Sequence, residues 1–317
     1  MTEQNRFDEQ DRRLIAALQC AGRLSAERAA TVLGLTARVV HRRWSALFRD
    51  GTVRVIAEPR RSTADGVIML RIRVLRGKLG TITAALAARE DIPFIDVSSG
   101  GDEISAVLLG GPDPRNRLVF RQLPATNAVT SVNAQTIMHV FGTSSDWRLD
   151  ALTDAERAAL TPAYEPQEPH AVDEVDAAIL AALRDDARAP AAAVAARTGC
   201  PESTVRRRLT RLLAEGQLVT EVVVDPRMLG LAVDANIRMR VPPGELDAVG
   251  TALARHPAVH GALATTGRSD LNIAVWLRDL EDLYRFITND LAGLGISGVE
   301  TMLVGDAVKR PGAHRPH

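Results

Sequence analysis

The sequence predicts an α+β chain in which one architecture, a winged helix-turn-helix followed by a ferredoxin-like βαββαβ sandwich, is written twice. Three observations predict it. First, "FDEQDRRLIAAL" from Phe7 realigns on "VDEVDAAILAAL" from Val172, and the same offset of 165 positions carries Gly34 to Gly199 and Gly51 to Gly216. A repeat this long marks a duplicated pair of domains, because solenoid units run to about 20–50 residues. Second, each copy opens on apolar residues at helical spacing and passes into alternating strand-like and helix-like stretches. Third, the copies are joined by a polar stretch over 146–170 that carries Pro162, Pro166 and Pro169.

Each copy begins with three short helices. Asp8 and Asp173 stand where an N-cap is needed, ahead of the apolar stripes Leu14, Ile15, Leu18 and Ile179, Leu180, Leu183. Ser25–Leu33 and Pro190–Arg197 predict a second, Ala-rich helix, and Gly34 and Gly199 then break the chain where a tight turn between helices belongs. In the third helix Val205, Leu209, Leu212 and Leu213 fall at i, i+4, i+7 and i+8, which defines a buried face; Val40, Trp44, Leu47 and Phe48 repeat it. A turn glycine ahead of the third helix makes a helix-turn-helix, and the strand-like "VRVIAE" after Gly51 and "LVTEVVVD" after Gly216 are expected to form the wings.

Beyond Leu231 the second copy runs "VDANIRMRV", "GELDAVGTALARHP", "VHGALATTG", "DLNIAVWLR", "DLEDLYRFITNDLAGL" and "VETMLVG", the order βαββαβ. The first copy starts alike, but "PDPRNRLVFRQLPATNAV" has two early prolines and a poor helical period before "SVNAQTIMHVFG" recovers a strand. In the join, Thr153 with Glu156 three residues on has capping-box spacing over a short helix to Leu160, and the Pro-rich remainder reads as a semi-rigid linker. The expected boundaries are 1–60 for the first winged helix-turn-helix, 61–145 for a divergent ferredoxin-like domain and 146–171 for the linker. The second copy divides into 172–226 and 227–308, with a tail over 309–317.

The totals leave the function to local features. Basic and acidic residues balance at 39 each, so no global field draws the chain to nucleic acid. Charge is nevertheless segregated: Arg38, Arg42, Arg43, Arg49 and Arg54 face only Asp50 within that interval. Cys20 and Cys200 lack any CxxC spacing, which speaks against a disulfide framework or a zinc site, and no metal or other cofactor is expected. No apolar run suggests a signal peptide or a membrane span, so the expected location is the cytoplasm.

A helix-turn-helix places its last helix in the DNA major groove. At about 100° per residue, Ser203, Arg207, Thr210 and Arg211 point away from the buried face of the third helix, while Arg206 and Arg208 flank it. Ser203, Arg207 and Thr210 are therefore candidates for base edges, and Arg206, Arg208 and Arg211 for phosphates, with Thr204 beside them. The first copy offers Arg38, His41, Arg42, Arg43 and Ser45. Since His41 and Ala46 replace Arg206 and Arg211, it is expected to grip less tightly or to read another half-site.

"DEVDAAILAALRDDAR", "STVRRRLTRLLAEGQLV" and "HPAVHGALATTGRSDLNIAVWLRDLEDLYRFI" resemble the leucine-responsive regulatory protein/AsnC family of transcription regulators, each copy standing for a full protomer. The resemblance implies double-stranded DNA as partner, an effector domain that pairs through its sheet, and assembly of chains into a homo-oligomer (dimer or tetramer). It also implies a small-molecule effector, an amino acid or related metabolite, near a G-x-x-D loop: here Thr265, Thr266, Gly267 and Asp270. In the first copy "SSGGDE" retains Gly100 but puts Glu103 where the aspartate would be. Siroheme decarboxylases resemble the same family and also come as paired copies. A tetrapyrrole enzyme is therefore one alternative, and a metabolite-sensing module without DNA binding another. His139, His256 and His260 are scattered, and no nucleophile–base pair or phosphate loop is apparent, so the expectation is a regulator and not an enzyme.

Overall fold

The computed structural model describes residues 7–49, 51–59, 66–75, 77–110, 118–123, 125–163 and 170–311. The first copy contains α1 (Glu9–Cys20), α2 (Ala26–Leu33), α3 (Ala37–Arg49), β1 (Val53–Pro59), β2 (Val67–Val74), α4 (Leu79–Ala87), β3 (Phe94–Ser98), β4 (Glu103–Leu109) and β5 (Val129–Gly142). The join holds α5 (Asp154–Leu160). The second copy contains α6 (Glu174–Leu183), α7 (Ala191–Thr198), α8 (Glu202–Ala214), β6 (Leu218–Val224), β7 (Val233–Arg240), α9 (Leu246–Ala254), β8 (Val259–Thr265), β9 (Leu271–Leu277), α10 (Leu280–Arg285) and β10 (Gly298–Lys309).

These elements sort into two compact units, each drawn from both copies: residues up to 61 with 145–229, and 62–144 with those from 230 onward. Like has paired with like. In the first unit the caps form as the sequence predicts. Asp8 accepts from the Asp11 amide at 2.8 Å, Asp173 from the Asp176 amide at 2.8 Å, and Gly34 and Gly199 end their helices in the left-handed region at φ 69° and 71°. Val40, Trp44, Leu47 and Val205, Leu209, Leu212 are buried on the predicted faces.

Two expectations change here. The strands after Gly51 and Gly216 do not build a separate wing on each domain; β1 and β6 pair with each other, antiparallel, from Val53↔Val224 to Pro59↔Leu218. A lone strand leaves its backbone donors unpaired, and the other copy's strand satisfies them. The stretch 146–163 is not a free linker either: Trp147, Leu149, Leu152 and Leu160 are buried. The capping box on Thr153 and Glu156 starts α5, which packs against α1 and α2, while Arg13 pairs with Glu156 and Gln19 accepts from the Leu149 amide at 2.8 Å. The apolar residues that ride between the polar ones account for this, since burying them on α1 and α2 removes them from water. Pro166 and Pro169 lie outside the described residues.

A reciprocal arginine pair, spaced by the same 165 positions, ties the two helix-turn-helix domains together. Arg23 donates to the carbonyls of Ala187 and Ala189; Arg188 donates to those of Gly22 and Leu24 at 2.6 and 3.1 Å. Arg188 also lies over the rings of Trp44 and Phe48, 4.8 and 5.6 Å from their centroids. Burial lowers the pKa of both guanidiniums, and bonds to otherwise unpaired carbonyls offset that desolvation.

In the second unit eight strands close into a barrel in the order β10-β3-β4-β2-β5-β8-β9-β7. Each copy contributes four, β3-β4-β2-β5 and β8-β9-β7-β10, the strand order of a ferredoxin-like sheet. Closure joins β5 to β8 and β10 to β3, so neither sheet keeps an open edge. Each half has its own apolar core, one around Leu70, Ile72, Ile95 and Ile104, the other around Ile237, Met239, Leu271 and Phe286. α10 continues as a wider turn over Phe286–Asp290, and the first copy has a turn of the same kind over Leu118–Gln122; residues 111–117 ahead of it, where the two early prolines fall, lie outside the described residues. The last strand also runs past the expected boundary at 308, and Lys309 donates to the Ala87 carbonyl at 3.0 Å. No helix among the described residues is long and apolar enough to cross a membrane.

Candidate nucleic-acid interface and effector loop

The recognition helices α3 and α8 carry the same frame with different charge. In α8, Ser203, Arg206, Arg207 and Thr210 are exposed, and Thr204 is half-buried. Thr210 folds its hydroxyl back onto the Arg206 carbonyl at 3.1 Å, and Arg206 is held by Glu202 one turn earlier, Nε to Oε1 at 3.0 Å. Nothing among the described residues pairs with Arg207. In α3, Arg38, His41, Arg42 and Ser45 are exposed, with His41 3.5 Å from Glu27 on α2.

Two residues expected at phosphates, Arg208 and Arg211, and one further DNA-contact candidate, Arg43, are placed otherwise. Arg208 spans back to α6, 2.6 Å from Asp173 and 3.1 Å from the fully buried Asp176. Arg211, placed outward on the helical wheel, turns instead to the same Asp176, with Glu215 3.8 Å away. In the first copy Arg43 does what Arg208 does, bridging Asp8 at 2.8 Å and Asp11 at 2.7 Å. The hydrogen bonds and charges of these carboxylates raise the pKa of Arg43 and Arg208 further above the ordinary value despite partial burial. Desolvated carboxylates at a helix N-terminus need a counter-charge, and the flank of the third helix is where one reaches them. The wheel gives direction but not partner.

The candidate effector loop lies between β8 and β9. Thr265 is buried; its hydroxyl donates to the Ser269 carbonyl at 3.0 Å and accepts from Asn272 at 2.6 Å, so it shapes the loop from below. Asp270 accepts the Val241 amide through Oδ2 at 3.1 Å. Gly267 sits at φ 101°, where an L side chain is strained. Gly267 and Asp270 border a shallow cleft of about 430 Å³ with Arg240, Val241, Pro242, Arg268 and Ser297. Thr266 binds Thr136 on β5 through backbone and hydroxyl at 2.9 Å, beside the cleft.

The sequence reading missed Gln135. From β5 of the first copy, this buried side chain donates to the Thr266 carbonyl at 2.8 Å and the Ser269 hydroxyl at 3.0 Å, and a Cβ on Gly267 would lie 3.0 Å from its amide. The loop of one copy is thus held by the other. At the first copy's loop the facing position, two residues before the β10–β3 pair Val304↔Ser98, belongs to Met302, which has no donor. There Glu103 is buried and engaged by Arg71 at 2.7 Å and by Arg73 and Arg238 at 3.3 Å, so it is not presented as Asp270 is.

A second polar group surrounds His260, which stacks on Trp276 at 3.8 Å between centroids. Trp276 donates to Asp234 at 3.0 Å, and Arg310 bridges Asp234 at 2.7 Å and Asp96 at 2.9 Å. Burial alone would raise the Asp234 carboxyl, but the nearby His260 ring and the Arg310 charge outweigh it and hold it at about 2. Burial lowers the pKa of His260 in turn. His256 ends α9 with Asp290 3.5 Å away, and His139 lies against Phe141, so the three histidines do not converge.

Comparison with known proteins agrees with the duplication. An AsnC-type helix-turn-helix domain matches residues 7–47 and again 172–213, and an Lrp/AsnC ligand binding domain matches 234–313. An uncharacterized HTH-type transcriptional regulator of Pyrococcus horikoshii is 34% identical over 140 residues, 44% of this chain and 89% of that protein. The HTH-type transcriptional regulator AldR of Mycolicibacterium smegmatis is 30% identical over 162 residues, 47% of this chain and 94% of the relative. Among solved structures, the siroheme decarboxylase NirDL superposes on 96% of this chain and 93% of its own with a TM-score of 0.61 at 15% identity, a likeness of fold.

Proposed function

The chain belongs to the Lrp/AsnC family of transcription regulators, and we propose that it is a sequence-specific DNA-binding regulator carrying both halves of a pseudo-dimer, acting in the cytoplasm and not as an enzyme. The observation that carries this reading is that both helix-turn-helix domains, joined in one compact unit, present an exposed arginine, Arg42 or Arg207, at the same register of the third helix. Two recognition helices on one chain suit two half-sites of one duplex. Because their outward residues differ, those half-sites differ too. Selection of binding duplexes from a random pool, followed by the Arg207→Ala variant, tests this. The expected result is loss of discrimination by about 1–3 kcal/mol at one base position. Equal weakening of every sequence would make Arg207 a phosphate contact.

The same reading gives the chain one effector site, the loop over 265–270 with its adjoining cleft. Backbone amides at Gly267 suit a carboxylate, and the free oxygen of Asp270 suits an ammonium, the two ends of an amino acid or a related metabolite. Screening the amino acids for a rise in melting temperature tests it, since a ligand that binds the native state stabilises it. Assembly of chains into dimers or tetramers would use surfaces outside the closed barrel. The tetrapyrrole reading rests on likeness of fold; a shifted absorbance band after incubation with siroheme would favour it over a regulator.

A further inference from the structure

The two recognition helices differ in the charge left free on one stripe. In α3, Arg38, Arg42 and Arg49 fall at i, i+4 and i+11, within about 40° of each other around the helix and opposite the buried Val40, Trp44 and Leu47. All three are exposed, and among the described residues none has an ion-pair partner. The same stripe of α8, 165 positions on, reads Ser203, Arg207 and Ala214, one cation in place of three. The remaining arginines of α8 do not restore the balance. Arg208 and Arg211 are committed to Asp173 and Asp176. Arg206 is neutralised by Glu202, whose counterpart in α3 is the uncharged Ala37. These ion pairs favour the opposite of a looser grip by the first copy, and leave open its reading another half-site.

We propose that the N-terminal helix-turn-helix is the DNA anchor of this chain, with the Arg38, Arg42 and Arg49 stripe supplying most of the phosphate neutralisation. The C-terminal one binds with little net charge and contributes through Ser203, Arg207 and Thr210. This rests on the reading that the chain binds duplex DNA. The physics is counterion release: each phosphate neutralised by a free cation adds about 0.9 to the slope of log affinity against log salt. A cation already paired with a carboxylate adds less, because it exchanges one anion for another.

The test uses the full chain and a short labelled duplex of arbitrary sequence, with affinity read by fluorescence anisotropy over a range of salt. Arg38→Ala/Arg42→Ala/Arg49→Ala should lower the slope by about three, and Ser203→Ala/Arg206→Ala/Arg207→Ala by about one. The converse variant Ser203→Arg/Ala214→Arg should raise it by about two. All these side chains except the small Ala214 are exposed, and circular dichroism checks that each variant folds. An α8 variant that costs as much slope as the α3 variant, or more, overturns the anchor. A wild-type chain with no salt-dependent binding to any duplex overturns the DNA reading itself, and the anchor with it.

Discussion

The two copies of this chain differ in which of their parts are left open and which are closed off. The first keeps the free charge of its recognition helix, with Arg38, Arg42 and Arg49 exposed. Its loop position Glu103 is closed off by arginines. The second keeps the Gly267 and Asp270 loop open to a cleft, while two of its recognition-helix arginines are tied to its own first helix. A homodimer must keep both activities in every protomer; a fused pair needs each only once, provided the copies stay joined. Both copies contribute to what joins them: the β1–β6 ladder, the reciprocal Arg23 and Arg188, and the closed barrel.

The contrast is sharpest at the first helices. Asp176 is fully buried and meets both Arg208 and Arg211, whereas Asp11 is partly exposed and meets Arg43. Asp176→Ala is expected to cost about 3 kcal/mol by chemical denaturation, since it removes a buried carboxylate shared by two arginines and the Asp173 amide, and Asp11→Ala about 1 kcal/mol. Equal costs would mean the extra arginine in the second copy contributes nothing. Next in size is the arginine pair. Arg188→Ala should cost about 3 kcal/mol and Arg23→Ala about 2 kcal/mol, the difference being the stack on Trp44 and Phe48. The reverse order would remove the rings from the account.

The effector halves give smaller effects. Gln135→Leu keeps the volume but removes the donor that holds Thr266 and Ser269, and should weaken binding of whichever amino acid stabilises the chain by about tenfold, or 1.4 kcal/mol. Met302→Leu at the facing position of the first copy should leave that affinity unchanged. If both variants behaved alike by calorimetry, the Gln135 donor would play no special part in binding.

The least effect is on pH. Because burial lowers the pKa of His260, the unfolded chain takes up its proton at a higher pH than the folded one. Its contribution is therefore complete above the ordinary value of 6.5 and lost as pH falls below it. Asp234, held at about 2, contributes above its ordinary 3.8 and loses that only as pH falls through about 2, a separate window. Melting temperature should decline as pH falls below about 6.5, and His260→Asn should flatten part of that decline. His256, also lowered by burial, is the control: if His256→Asn alone removed the whole slope, the buried cluster on Trp276, Arg310 and Asp96 would not be its source.

Much of this was legible in the sequence. Period, caps, turn glycines and buried helix faces are short-range features, and the offset of 165 positions made each visible twice. Partners across the copies were not. Nothing in the spacing of "RRR" tells which arginine meets a carboxylate on α6, because that depends on where a helix 35 residues earlier in sequence crosses it. Arg23 and Arg188 carried a signal, an arginine kept at one offset beside small residues, but not its meaning. Trp147, Leu149 and Leu152 carried the signal of a docked segment in their apolar rhythm, but the prolines that follow outweighed it. Gln135 had no signal at all: its role exists only because β5 closes onto β8.

The central claim is that one chain covers two unlike half-sites, unequally. Hydroxyl-radical footprinting of the full chain on a selected duplex tests it most directly. Two protected patches are expected, the stronger one lost with Arg42→Ala and the weaker with Arg207→Ala. Two patches of equal strength that fade together in either variant, or a single patch, would contradict it.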